Sequence, residues 1–131
     1  MKIDIQIPEV KEVYVAVIRE WDDDMLAQNW YAYVINDRDT EIEMVIVVSK
    51  GYDEERKTSM LRHGLKTIAA KSSGKIEMVQ DELLLMNNQF VVTFFADGKL
   101  YDKTYLFRKN TINEDALRDL PVMKLRGVLA P

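Results

Sequence analysis

The residues from Trp30 to Val48 constrain the fold most, because they contain two apolar runs with the alternation of β-strands. In the first run, Trp30 to Ile35, both sets of alternate side chains are largely apolar, as in a strand covered on both faces. In the second run, Ile42 to Val48, the even-numbered set is wholly apolar and is expected to face the core. The odd-numbered set ends in valines and is expected to be buried towards that end. Residues 36–40 between the runs have short polar side chains that favour turns. The pattern predicts two central strands, and the rest of the chain must supply their partners and a second layer.

Shorter runs with the same period of two predict further strands. These runs are Ile3 to Ile7, Val10 to Glu20 and Lys75 to Gln80. Pro8 separates the first two, because proline cannot donate to a strand ladder and marks a kink or a change of sheet. After the third run, the apolar residues Leu83 to Met86 are expected to form a helical turn that closes one end of the core.

The residues from Phe90 to Lys109 form the clearest hairpin in the sequence. Asp97-Gly98 is a dipeptide favoured in two-residue type I′ turns. Such a turn would place Phe94 opposite Tyr101 and Phe90 opposite Tyr105. The aromatic pairs would then share one face, which we predict to be the core face.

The segment from Asp53 to Lys71 is compatible with a helix or with strands. As a helix it would be capped by Asp53 and would carry a thin stripe of Leu61, Leu65 and Ile68. The stripe is interrupted by Gly64, and the threonines of the segment prefer extended structure. We therefore predict two strands, residues 57–63 and 66–70, with the helix as the alternative.

The C-terminal residues have a different pattern. Thr111 and Glu114 have the spacing of a capping box, which predicts a short helix to about Leu120, ended by Pro121. The tail that follows, residues 122–131, is too apolar for a free terminus in water. We expect residues 110–131 to pack on the domain or on a partner, including a second copy of the chain.

These elements predict a single domain over residues 1–131 in the mainly β class. About seven or eight short strands with frequent turns and no alternation of strands with helices predict an antiparallel β-sandwich with a short C-terminal helix and tail. The immunoglobulin-like arrangement is the architecture we expect by analogy, although the chain has no Cys-Trp-Cys marker.

The residue types exclude several kinds of chemistry. The chain has no cysteine, so it has no disulfide, thiolate metal site or cysteine nucleophile. The five glycines are too far apart for a phosphate-binding loop, and a single histidine cannot build a multi-histidine metal site. We expect no cofactor and no metal. The sequence shows no signal-peptide core and no apolar run of ~20 residues, so we expect a cytoplasmic protein without a membrane partner.

The strongest asymmetry of charge is a basic segment over residues 56–75. This segment contains no carboxylate, although the whole chain has a net charge of −4. Its candidate binding residues are Arg56, Lys57, Arg62, His63, Lys66, Lys71 and Lys75. Lysines are also common on edge strands, where they prevent sheets from aggregating, so a protected edge is the plainer interpretation. The functional interpretation is that the segment binds an anionic partner. A protein is favoured over a nucleic acid as this partner, because the chain is acidic overall.

The preferred hypothesis is a non-catalytic interaction or structural module that docks an anionic partner through the basic segment. No catalytic residue is assigned. The alternative is a carboxylate-based hydrolase or a sugar-binding domain that uses Trp21 and Trp30 for stacking. Glu20 and Asp22 to Asp24 could line a calcium loop, but three adjacent aspartates lack the ligand spacing that calcium needs, and a solvated loop is favoured.

Overall fold

The computed structural model describes residues 8–131, and this part of the chain is mainly β. The predicted strand from Ile3 to Ile7 lies outside the described residues. Helical structure within residues 8–131 is confined to two 3-10 turns, Asp81–Leu85 and Glu114–Ala116. The strands are β1 Val13–Trp21, β2 Gln28–Asn36, β3 Ile42–Tyr52, β4 Leu61–Ile68, β5 Ser72–Val79, β6 Asn87–Ala96, β7 Lys99–Phe107 and β8 Gly127–Leu129.

The strands form two antiparallel sheets of four strands each. The order is β5-β2-β1-β8 in the first sheet and β4-β3-β6-β7 in the second. The two runs that constrained the fold are therefore β2 and β3, and both are internal strands, as predicted, although they belong to different sheets. The expected core side of β3 is wrong beyond Ile42: after a register shift Val45 and Val47 are buried, and Ile46 and Val48 lie on the outer face. Side chains from both sheets join one hydrophobic core, whose members include Val15, Val17, Trp30, Ala32, Val34, Ile42, Val45, Val47, Ile76, Val79, Phe90, Val92, Phe94, Phe107 and Val128.

The hairpin β6–β7 confirms the predicted register. Phe94 lies opposite Tyr101 and Phe90 opposite Tyr105. Asp97-Gly98 has φ angles of 55° and 73°, the left-handed values that a type I′ turn requires. The ring of Phe94 stacks on Tyr101 with centroids 5.1 Å apart. A two-residue turn therefore fixes which face of both strands enters the core.

The ambiguous segment contains an edge strand, as predicted, with different bounds. β4 pairs only with β3 in its sheet and runs through Gly64, where a break was expected. The irregularity lies instead at Lys66, which has a φ of 59° and a shifted register. The residues before Leu61 form a loop, because Asp53 accepts hydrogen bonds from the backbone N–H groups of Glu55 and Arg56 at 2.9 and 2.7 Å.

The predicted C-terminal helix is wrong. Only one 3-10 turn forms, and its cap is Asn113, whose side chain accepts from the Ala116 N–H at 3.1 Å. The Thr111 hydroxyl donates to the Arg108 carbonyl instead of capping. The chain cannot continue as a helix because Arg118 pairs with Gly127 through two backbone hydrogen bonds of 2.9 Å.

The last residues of the chain pack on their own domain. β8 pairs with β1, and Val128 lies opposite Val17 with its side chain in the core. A Cβ atom at Gly127 would lie 2.9 Å from the Val17 carbonyl and 2.8 Å from Leu120, so only glycine allows this approach. Docking of the tail on a second copy stays a prediction.

The hydroxyl of Tyr105 joins the two sheets. Tyr105 is 2% exposed and its hydroxyl donates to the carbonyl of Val13, which belongs to the opposite sheet. We expect Tyr105→Phe to lower the free energy of unfolding by about 1 kcal/mol, because a buried hydrogen bond is lost. Urea denaturation measures the change. The control is Tyr101→Phe, which keeps the stacking on Phe94, and equal losses in both variants would contradict the prediction.

Candidate functional site

The seven candidate residues lie along one side of the molecule but do not form one cationic patch. They occupy the loop before β4, β4 itself, the turn after it and β5. β4 and β5 are edge strands of different sheets that contact each other, so these positions follow a single seam between the sheets. Four of the seven side chains have a carboxylate within 4 Å, namely Arg56, His63, Lys71 and Lys75.

Arg56 is held by Asp53 within its own loop. The guanidinium donates to Asp53 Oδ2 from Nη2 at 2.9 Å and from Nε at 3.2 Å. Backbone donation from Glu55, followed by the contact with Arg56, lowers the pKa of Asp53. The pair therefore closes a turn, and the positive charge of Arg56 is already paired with the carboxylate of Asp53.

Lys71 ties the turn after β4 to the turn between β2 and β3. Its Nζ donates to Asp37 Oδ1 at 2.9 Å and to the Asp37 carbonyl at 2.7 Å, and Asp39 lies 3.8 Å away. The hydrogen bond to Asp37 raises the pKa of Lys71. This contact positions two turns and leaves little of the charge for a ligand.

Lys75 belongs to a cluster on the outer face of the first sheet. Its Nζ lies 3.1 Å from Glu20 Oε1 and 4.2 Å from the ring centroid of Tyr31. The hydroxyl of Tyr33 donates to the same Glu20 oxygen. Burial, and then the hydrogen bond to Glu20, raises the pKa of Tyr33 to about 12. The sequence placed Glu20 in a possible calcium loop, and it did not predict these contacts because the partners of Glu20 come from other strands.

The remaining three cations, Lys57, Arg62 and Lys66, have no carboxylate within 4 Å in the part of the chain that the structure describes. All three are exposed. Arg62 lies opposite Val48 on the outer side of the second sheet, and Lys66 lies at the irregularity of β4. The basic segment thus presents three unmatched cations spread along an edge.

His63 faces the interior of the seam and meets Glu77 of β5. His63 Nε2 lies 3.4 Å from Glu77 Oε2, yet this buried nitrogen makes no hydrogen bond within residues 8–131. The side chain of Glu77 is 16% exposed. No acid is near His63 in the sequence, and the fold supplies one from the neighbouring sheet.

A cleft opens beside this pair, between the ends of the two sheets. Its volume is about 260 Å³. β3 and β6 form one wall, Glu77 and Val79 of β5 form the other, and the first 3-10 turn closes the back. Other residues that line it are Lys50, Gly51, Thr58, Leu61, Glu82, Leu83, Asn88 and Phe90.

The outer face of the second sheet is the other distinctive surface, and we call it the docking face. Successive residues of a strand point to opposite faces, so the residues of β3, β6 and β7 that alternate with the core residues share this face. Its central residues are Ile46, Val48, Val91, Thr93, Thr104 and Leu106, and Phe95 and Leu100 lie at one end. Phe95 is 37% exposed and Leu100 is 52% exposed.

The other candidate groups of the sequence analysis have simpler roles. Trp30 is buried in the core at 5% exposure, whereas Trp21 is 51% exposed at the end of β1. Asp22 Oδ1 accepts from the Leu26 N–H at 3.0 Å and so shapes its own loop. Within residues 8–131 no group of three or more His, Cys, Asp or Glu side chains is arranged to hold a metal ion. No helix in this range is long and apolar enough to cross a membrane.

Comparison of the chain with protein-family models, with curated proteins and with solved structures finds no match. The surfaces of this chain are therefore the basis for inferring its function.

The partly buried phenol of Tyr33 predicts a loss of stability at high pH. Its pKa is about 12 in the folded protein, against ~10 in an unfolded chain, so folding favours the neutral phenol. The contribution of the neutral phenol to the free energy of unfolding is fully present below pH ~10. It is lost as the pH rises towards ~12. We expect the free energy of unfolding of Tyr33→Phe to fall less steeply over this range than that of the wild type.

Urea unfolding at several pH values between about 9 and 12 measures this difference. The control is Tyr101→Phe, which removes a hydroxyl from the other sheet and should keep the wild-type slope. An unchanged slope in Tyr33→Phe would show that the phenol does not titrate against Glu20.

Proposed function

We propose that this protein is a non-catalytic interaction module built on a variant of the immunoglobulin-like sandwich. The strand order supports the fold assignment. An immunoglobulin constant domain pairs strands in the order 1-2-5-4 in one sheet and 3-6-7 in the other. This protein has the same neighbours β1-β2-β5 in one sheet and β3-β6-β7 in the other. It differs from the constant domain in that β4 pairs with β3, and β8 is added beside β1. Domains of this architecture carry many unrelated functions, so the function must come from a surface.

The docking face is the observation that carries the proposal. Its central row across three paired strands, Val48, Val91 and Thr104, has no charged side chain. Ile46 and Thr93 share the next row with Asp102, and Leu106 shares the row on the other side with Gln89 and Lys50. An apolar area of this kind, surrounded by polar residues, marks an interaction site more often than a plain solvated surface. A sheet face of short branched side chains is also flat, and a flat surface suits a protein partner better than a small ligand.

The charges around the docking face define the chemistry of the partner. Lys50 and Arg62 lie towards one end, in the rows of Leu106 and Val48. Glu43 and Asp102 lie towards the other end. The proposed partner is a protein with an apolar strip that has an acid at one end and a base at the other. Such charges fix the register of docking more than its affinity.

The double variant Val48→Lys, Val91→Lys tests the docking face. Both side chains lie on the outer side of internal strands, so lysine can extend into water while the core stays intact. We expect the immobilised wild-type protein to retain a partner from an extract of the native host, and the variant to lose it by at least tenfold. Quantitative mass spectrometry of the bound fraction measures the loss.

The matched control is Val122→Lys, Leu125→Lys, which adds the same charge to exposed apolar residues of the C-terminal segment. Retention should be unchanged in this control. A partner that binds the docking-face variant as well as the wild type would overturn the proposal. Size-exclusion chromatography at high concentration identifies the case in which the partner is a second copy.

Docking of an anionic partner through the basic segment is a second candidate, supported by the three unmatched cations Lys57, Arg62 and Lys66. We expect retention on a heparin column at low salt, and its loss when these three residues are changed to Glu. The control changes Lys11, Lys99 and Lys124 to Glu, which gives the same net charge. If both triple variants elute alike, retention reflects overall charge and the basic segment has no specific role.

The carboxylate-based hydrolase or sugar-binding domain remains the alternative. With Trp30 in the core, a stacking platform would have to rely on Trp21 alone. Glu20, the acid nearest to it in sequence apart from the loop aspartates, is engaged by Tyr33 and Lys75. These contacts favour the interaction module.

A further inference from the structure

We infer that the cleft between the sheets binds a small ligand, or one side chain of a larger ligand, in which a cationic amine is attached to an apolar body. This inference concerns a different surface from the docking face and does not depend on it. The chemistry follows from the charge of Glu77, from the apolar walls beside it and from the rigidity of the cleft.

Glu77 is a carboxylate without an adequate partner. Its side chain is 16% exposed, and within residues 8–131 the only Lys, Arg or His nitrogen within 4 Å is His63 Nε2, which makes no hydrogen bond to it. The nearest lysine in sequence, Lys75, is held on the outer face of the sheet by Glu20. A carboxylate so far removed from water gains from any donor that reaches it, and a cationic donor gives the strongest hydrogen bond.

The walls beside Glu77 are apolar. Val79 lies on the same strand, Phe90 lies opposite on β6, and Leu61 and Leu83 line the cleft as well. An ammonium group at Glu77 would therefore have its carbon chain or ring in contact with hydrocarbon. Ligand sites typically combine such walls with a few polar groups that fix orientation.

The cleft is held open by hydrogen bonds that do not involve a ligand. The loop at its front is joined to β3, because the Gly51 N–H donates to the Thr58 hydroxyl at 2.9 Å and the Thr58 N–H donates to the Gly51 carbonyl at 2.8 Å. At the back, the Asn88 amide donates to the carbonyls of Leu83 and Met86 at 2.7 and 3.1 Å. A preformed site loses little entropy on binding, which favours small ligands.

The volume limits the size of the occupant. The cleft holds about 260 Å³, slightly below the ~300–1,000 Å³ of sites for drug-sized ligands. It therefore fits a phenylalkyl or short alkyl amine, and excludes a nucleotide. Lys50 and Glu82 also line the cleft, and the Lys50 ammonium lies over the Tyr52 ring at 5.6 Å.

The test uses 2-phenylethylamine as the probe and 2-phenylethanol as its neutral match, with the full chain at pH 7. Two-dimensional NMR of the backbone amides follows each titration. We expect saturable shifts at Glu77, Leu83 and Phe90 with the amine, with a Kd on the order of millimolar, and at least tenfold weaker binding of the alcohol.

Glu77→Gln keeps the shape of the side chain and removes its charge, so it should weaken amine binding by about tenfold or more. Glu41→Gln, which removes the same charge at an exposed position away from the cleft, should have no effect. Equal binding of amine and alcohol, shifts scattered over the surface acids, or an unaffected Glu77→Gln variant would each overturn the inference. The comparison of amine with alcohol uses the unmodified chain, so it tests the inference even if the Glu77→Gln variant fails to fold.

Discussion

The burial of alternate side chains of β1 and β2 against those of β3 and β6 is the interaction on which the rest of the structure depends. Val15, Val17, Val34, Val47 and Val92 are fully buried between the sheets. Each buried aliphatic side chain of this size contributes roughly 1.5–3 kcal/mol relative to an exposed one. A slip of one residue in any of these strands would turn its apolar set to water, so the register is strongly fixed. The register also determines which residues lie on the outer faces of the sheets, because every second residue of a strand points away from the core.

The seam between β4 and β5 is where this constraint is weakest. The sheets end there without closing on each other, and the contacts across the gap include the polar pair His63–Glu77 beside apolar ones of Leu65 and Ile68 near Gly74. Lys71 and Asp37 join two turns near the same seam. Exposed ion pairs of this kind contribute little to stability, about 0–1 kcal/mol each. The effect of these ion pairs is to position turns. The cleft is present because no apolar side chain fills the space beside Glu77.

Sequence patterns predicted those parts of the fold that local chemistry determines. The turn at Asp97-Gly98 sets the register of β6 and β7 by itself, so the pairing of Phe94 with Tyr101 followed directly. The capping box at Thr111 is equally local, but it gave a false helix because Arg118 pairs with the distant Gly127. A local signal is reliable only where no long-range pairing competes for the same backbone groups.

The candidate site was less predictable than the fold, for a related reason. The basic segment has no acid in its sequence, which suggested free cations, but proximity in space depends on topology. Glu20 reaches Lys75 from β1, and Glu77 faces His63 across the gap between sheets. Neither partner could be identified without knowing that β5 pairs with β2 and lies beside β4. The alternation of β3 predicted the wrong side for Ile46 and Val48, which lie on the docking face instead of in the core. The register shift between Ile42 and Val45 that reverses the two sides depends on the partner strands.

Strand β3 gives the two proposed surfaces a common element and also keeps them separate. Ser49, Lys50 and Gly51 line the cleft, whereas Val48 lies opposite Val91 on the docking face. Because adjacent residues of a strand face opposite directions, a substitution at one position changes one surface and leaves the side chains of the other in place. A loss of partner binding in Val48→Lys, Val91→Lys with unchanged amine binding would therefore assign two independent sites to one strand.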